Sequence, residues 1–216
     1  MKVGTDGVLL GAWAPLHNGN RILDVGTGSG LIALMLAQRF PTSTILGIDI
    51  DTSAVSQARE NVAASPFANR VAIEGISLQE LEAEPASFDA IVCNPPFFEE
   101  SLLSPDAGRT VARHTTNLPF VELIQHSARL LKPDGCFCVI LPTTSFDSFH
   151  LQCFALELSL AVRCDIQTSP GKAPKRTMAC FQKAEKITRR DELLVLTEGG
   201  QRSAAYSALT REFYIK

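Results

Sequence analysis

Short β-branched runs alternate with longer helical patterns through the first 160 residues, and few folds accommodate that order. Strands are expected at 21–25, 44–48, 71–74, 88–93 and 135–141. Helices are expected at 31–40, 52–64, 118–131 and 145–158. Parallel strands need long crossovers, so the chain should build an α/β domain with a mostly parallel sheet. Beyond residue 141, apolar runs at 160–166 and 178–182 flank the basic loop 169–176 and predict an antiparallel hairpin at one sheet edge. A short strand at 193–197, a Gly199-Gly200 turn and an aromatic amphipathic segment at 204–214 follow.

Composition narrows the class. With 216 residues, about 70% of the unfolded chain's surface can be buried, so one core suffices without disulfides or a structural metal. No apolar run approaches the roughly 20 residues of a membrane span, and Met1-Lys2-Val3-Gly4-Thr5-Asp6 has no signal-peptide character. A cytoplasmic address is therefore expected, and a monomer is favoured. Cys93, Cys136, Cys138, Cys153, Cys164 and Cys180 lie among apolar neighbours with no Cys-x-x-Cys pair, and read as reduced core residues rather than metal ligands. The net charge of −3 divides unevenly: residues 1–108 carry 5 basic and 13 acidic side chains, residues 109–216 carry 15 and 10. Lys172, Lys175, Arg176, Lys183, Lys186, Arg189 and Arg190 crowd one window of the second half. That window reads either as a phosphate-binding surface or as a solvated face.

Three stretches carry chemistry. Ile22-Leu23-Asp24-Val25-Gly26-Thr27-Gly28-Ser29-Gly30 ends a strand and opens a helix, which presents backbone amides to a small polar ligand. A dinucleotide fingerprint would place its third glycine where Leu31 stands. At the end of the second strand, Asp49 can accept the hydroxyls of a ribose, a spacing that suits NAD or S-adenosylmethionine equally; Asp51 reads as a helix cap. Asn94-Pro95-Pro96-Phe97 closes the fourth strand. Its prolines lack N–H groups and stiffen the residues before them, so Asn94 and the Pro95 carbonyl can accept both hydrogens of one exocyclic amine. Such an amine is a poor nucleophile because its lone pair is conjugated into the ring. Two acceptors favour a pyramidal nitrogen, and Phe97 offers a face on which a base extruded from its stack can rest.

These motifs resemble the class I S-adenosylmethionine-dependent methyltransferases, specifically those that methylate conjugated amino nitrogens. The resemblance narrows with Lys2-Val3-Gly4-Thr5-Asp6-Gly7-Val8-Leu9-Leu10-Gly11-Ala12-Trp13, Ala112-Arg113-His114 and the ending Ala205-Tyr206-Ser207-Ala208-Leu209-Thr210-Arg211-Glu212-Phe213-Tyr214. Together with the glycine loop and Asn94-Pro95-Pro96-Phe97, they are similar to the bacterial tRNA(Val) adenine-N6 methyltransferases over nearly the whole chain. The resemblance implies a Rossmann-like fold with a seven-stranded sheet, mostly parallel, carrying an antiparallel strand at one edge. It divides the single domain into a cofactor lid at 1–20, a binding and catalytic core at 21–142, and a tRNA-facing hairpin and tail at 143–216. It implies N6-methylation of adenosine 37, next to the anticodon of tRNA(Val), with S-adenosyl-L-methionine as donor and the anticodon stem-loop as partner.

The resemblance also implies residue roles. Gly4, Thr5, Asp6, Asp24, Gly26, Gly28 and Gly30 would lie near the methionine end of the cofactor, and Asp49 would hold its ribose. Ile50, Ile76, Ser77 and Asn94 complete that set. Asn94, Pro95, Pro96 and Phe97 would hold the target base, while Arg113, His114, Lys172, Lys175 and Arg176 would touch the tRNA. Family members usually place an acidic residue where Ser77 stands, and a hydroxyl accepts the adenine amine's hydrogen bond more weakly. They also begin further upstream, with an aromatic-rich segment. The Asn94 loop alone fits methylation of guanine N2 in ribosomal RNA, adenine N6 in DNA or a glutamine amide in release factors, and a fold retained only for RNA binding is the non-enzymatic alternative.

Overall fold

A computed structural model describes residues 4–17, 20–95, 118–183 and 189–214. Eight strands form one sheet: β1 (Arg21–Val25), β2 (Thr44–Ile48), β3 (Val71–Glu74), β4 (Phe88–Cys93), β5 (Leu131–Pro142), β6 (Ser159–Gln167), β7 (Arg176–Gln182) and β8 (Arg190–Val195). Their order is β3-β2-β1-β4-β5-β7-β6-β8. The first five are mutually parallel, β7 runs antiparallel to both β5 and β6, and β8 lies parallel to β6. β9 (Thr197–Glu198) and β10 (Gln201–Arg202) form a separate hairpin. Its turn places Gly199 and Gly200 at φ 57° and 79°, as a two-residue type I′ loop requires.

The expected class holds, with two differences. The described sheet has eight strands rather than seven, because β8 pairs with β6 despite its charged start, Arg190-Asp191-Glu192. The antiparallel strand is also interior: after the helix Thr143–Ala155 the chain crosses to the β6 position, and the hairpin returns β7 into the gap beside β5. Burial fits that place, since all five central residues of β7 are buried. The stretch Lys132–Gly135, between the expected helix at 118–131 and strand at 135–141, is a bulge within β5, where Leu131 pairs with Phe88 but Cys136 pairs with Ala90.

Helices cover both faces. On one side lie α1 (Thr5–Trp13), α2 (Leu31–Arg39), α3 (Thr52–Ala63) and α6 (Ala204–Thr210), packed over Ile22, Ala90, Cys138 and Ile140. On the other lie α4 (Phe120–Leu130) and α5 (Thr143–Ala155), over Leu23, Ile91, Phe137 and Phe181. Successive strand residues feed opposite cores, which is why β1 and β4 read as mostly apolar runs, interrupted after Arg21 only by Asp24 and Asp89. Helix α1 lies against α2 so closely that a Cβ at Gly11 would stand 2.9 Å from the Met35 sulfur. Among the described residues no helix is long and apolar enough to cross a membrane.

Candidate active site

The parallel strands β1 to β4 deliver their C-terminal ends to one edge of the sheet, the usual ligand edge of an open α/β fold. There the glycine loop turns from β1 into α2. Gly26, Gly28 and Gly30 all hold positive φ, at 69°, 58° and 79°. A Cβ at Gly26 would meet no protein atom within 4 Å, so the space beside it is open. The amides of Gly26 and Thr27 both donate to the Ile48 carbonyl at 2.9 Å, which ties the loop to β2.

Asp24 is fully buried beneath this loop. Its Oδ2 accepts from the Thr27 hydroxyl at 2.7 Å and from the Ala33 amide at 3.1 Å. Gly30 offers α2 no side-chain cap, so Asp24 satisfies a first-turn amide from the strand below, where the helix dipole favours its charge. Oδ1 of Asp24 has no partner among the described residues. Burial outweighs the hydrogen bonds and raises the carboxyl to about 7.

Asp49 closes the second side of the cradle. Its Oδ2 accepts from the Gly28 amide at 2.8 Å and its Oδ1 from the Asp51 amide at 3.0 Å, leaving further lone pairs on both oxygens. Asp51 caps α3 as expected, and the Ser53 hydroxyl with the Ala54 and Ser53 amides holds its carboxyl below the usual range. Ile50, between them, is 55% exposed, an apolar side chain left uncovered at the ligand edge.

At the end of β3 the Ser77 hydroxyl donates to Glu80 Oε2 at 2.7 Å, and the Glu80 amide donates back to the Ser77 oxygen. The carboxylate that the sequence lacks at position 77 therefore stands beside it, three residues later. At the end of β4, Asn94 is half-buried and Pro95 buried, and the buried Asn94 Oδ1 has no hydrogen-bond partner among the described residues. An unpaired buried acceptor costs about 1–3 kcal/mol, which a ligand donor would recover. Pro96, Phe97, Arg113 and His114 lie outside the described residues.

The basic window does not form one surface. Pro142 pairs with Arg176, so the β6–β7 loop with exposed Lys172 and Lys175 sits at the ligand edge. Arg176 Nε donates to Asp6 Oδ2 at 2.9 Å, joining the start of α1 to the start of β7. Lys183 lies at the opposite edge, about 20 Å along β7, where its Nζ donates to the Leu131 carbonyl at 2.9 Å. Arg189 and Arg190 pair with Asp191 and Glu192 near that edge, and Lys186 lies outside the described residues. The site thus gathers Asp6, Asp24, the three glycines, Asp49, Asn94 and Arg176, and adds Thr27 and Glu80. Neither addition carries a sequence signal of its own: Thr27 lies within the glycine loop, and Glu80 within an acidic stretch.

A family model described as the methyltransferase small domain matches residues 7–147. A tRNA1(Val) (adenine(37)-N6)-methyltransferase from Phocaeicola vulgatus is 45% identical over 215 residues, covering 100% of this chain and 91% of that protein. One from Bacteroides fragilis is 42% identical over 218 residues, covering 100% and 92%. Among solved structures, a predicted O-methyltransferase from Agrobacterium tumefaciens superposes with a TM-score of 0.75 over 96% of both chains, and at 17% identity it speaks for the fold alone. With a matching domain model and full-length identity well above 30%, the chain belongs to the methyltransferase small domain family and, within it, to the tRNA1(Val) (adenine(37)-N6)-methyltransferases.

Proposed function

We propose that this chain methylates N6 of adenosine 37, beside the anticodon of tRNA(Val), in the cytoplasm, and that the whole chain works as one catalytic unit. The observation that carries the reading is the pair of unpartnered buried acceptors, Asn94 Oδ1 and Asp24 Oδ1, flanking an open glycine cradle at one sheet edge. These residues fit S-adenosyl-L-methionine. Asp24 Oδ1 lacks a donor such as an α-ammonium, the space at Gly26 admits a group that any Cβ would obstruct, and Asp49 keeps lone pairs for ribose hydroxyls. Ile50 and Ile76 would flank the adenine, and Glu80, held by Ser77, supplies the acceptor for its amine. Gly4, Thr5 and Asp6 begin α1 beside this cradle, with Asp6 anchored by Arg176. When bound, the cofactor supplies an electrophilic sulfonium methyl.

The chain's own part is to position a weak nucleophile. Asn94 Oδ1 and the Pro95 carbonyl accept the two amino hydrogens of the target base, which draws the nitrogen lone pair out of conjugation. Phe97 stacks on the base, offsetting the few kcal/mol that its unstacking costs. No strong base is required, since the amine becomes acidic only as the new N–C bond forms and then loses its proton to solvent. Lys172 and Lys175 would meet phosphates of the anticodon stem-loop, with Arg113 and His114 as further contacts.

Incubation with labelled S-adenosyl-L-methionine and total RNA lacking the modification, followed by digestion, should give N6-methyladenosine from tRNA(Val). Methylguanosine in ribosomal RNA, or label in DNA or protein, would refute the assignment. Asn94→Ala should lower kcat by about 100- to 1,000-fold, the range for loss of one preorganised polar contact, with cofactor Kd within about threefold of wild type. Lost cofactor binding with normal residual kcat would remove Asn94 from this role.

A further inference from the structure

A second cluster of reactive side chains lies away from the ligand edge. Cys136 and Cys138 alternate on β5, so both point to the same face, and Cys138 faces Cys180 directly across the β5–β7 ladder. All three thiols are buried, and their sulfurs lie within 4.8 Å of one another. Buried cysteines commonly act as small apolar fillers, as Cys93 and Cys153 do here in the other core. A filler does not need three sulfurs converging on one point. A metal–thiolate bond of about 2.3 Å places the sulfurs of a three-coordinate ion about 4 Å apart, inside the spacing found.

We propose that Cys136, Cys138 and Cys180 form a three-thiolate site for a soft monovalent ion, Cu(I). The donor set selects the ion: all-thiolate sites favour Cu(I) or zinc, and structural zinc takes four ligands where this cluster offers three. The surroundings suit the negative charge that three thiolates bring to a core. Arg39, half-buried, lies within electrostatic reach of Cys138, and His17 within reach of Cys136. Cys136, 7% exposed, is the most accessible of the three and gives the ion a way in. Binding replaces the three S–H protons with three Cu–S bonds and releases three protons to solvent. Copper stays Cu(I), so no oxidant or reductant enters the balance.

The test titrates the purified full-length chain with Cu(I) alone, anaerobically, against a chromophoric Cu(I) chelator. Wild type should take one equivalent with a near-ultraviolet thiolate-to-copper band. Cys138→Ala and Cys180→Ala should lose that band, and Cys153→Ala should keep it. Because a core variant can fail to fold, X-ray absorption of the copper-loaded wild type gives a second reading: three sulfur neighbours support the site. Two or fewer sulfurs, no uptake by wild type, or equal loss in Cys153→Ala would overturn it.

Discussion

The buried carboxyl of Asp24 makes stability depend on pH in a direction opposite to that of most acidic groups. Its carboxyl is raised from the ordinary 3.8 to about 7, chiefly by burial. Between those values the native state holds a proton that the unfolded chain has lost, so stability falls as pH rises, by about 1.4 kcal/mol per pH unit. The contribution is whole below pH 3.8 and gone above pH 7. Over the full range it amounts to about 4 kcal/mol, more than half of it between pH 5 and pH 8. Urea unfolding of wild type and Asp24→Asn, followed by circular dichroism at pH 5, 6, 7 and 8, isolates this contribution, because other groups cancel in the difference. Wild type should lose about 3 kcal/mol relative to the variant across that range. A difference that stays flat within about 0.5 kcal/mol would refute the assignment of a protonated Asp24 to the ligand-free protein. A second reading comes from S-adenosylhomocysteine, whose ammonium should draw the proton off. Calorimetry in buffers of different ionisation enthalpy should detect nearly one proton released per ligand at pH 6, and almost none at pH 8.5.

Gly26→Ala keeps its new methyl clear of the protein but at φ 69°, so it should cost only about 1–2 kcal/mol of stability while weakening cofactor binding more than tenfold by titration calorimetry. Gly47→Ala does the reverse: its Cβ would stand 2.8 Å from both Ile73 Cδ1 and the Thr27 hydroxyl, pushing Thr27 off Asp24. Overpacking of this kind costs about 1–3 kcal/mol, and scanning calorimetry should show Tm lowered by about 2–4 °C for each kcal/mol. Replacing Lys172 and Lys175 together by Ala should raise Kd for the anticodon stem-loop and flatten the slope of log K against log salt by about 1.5, whereas an unchanged slope would exclude them from phosphate contact.

The elements that the sequence makes legible are those whose residues alternate between two cores. β1 to β4 fall where the apolar runs place them, because each run is bounded by turn residues or charges. Helix α1 gives no such signal: Gly7 to Ala12 are all buried, so the stretch has no polar face to reveal a helical period. β8 is legible only in part: the expected strand at 193–197 catches its end, where Leu194 is buried, whereas its charged start, Arg190-Asp191-Glu192, carries no apolar signal. In the candidate site, Gly26, Asp49 and Asn94 can be proposed from sequence because a turn and, under the proposed function, a ribose and an amine each demand a residue type. The Asp6–Arg176 pair is not, because 170 residues separate its members and only the antiparallel return of β7 brings them together. The same return explains why a continuous basic window becomes two separate patches: a strand carries its two ends to opposite edges.

Helix α1 is covered by the last part of the chain. Trp13 donates to Glu192 Oε2 at 2.9 Å, Asp6 accepts from Arg176, and Leu209, Phe213 and Tyr214 pack over Val8 and Ala12. During synthesis on the ribosome, α1 therefore emerges early and waits for partners translated some 170 residues later. At about 5–20 residues per second that interval lasts on the order of 10–30 seconds, during which the apolar face of α1 lacks its cover. The cradle around Gly26 can form once β4 has emerged, but the α1 end of the site closes only after Arg176, Glu192 and the 204–214 segment have been made, so the cofactor site is completed well after its central part.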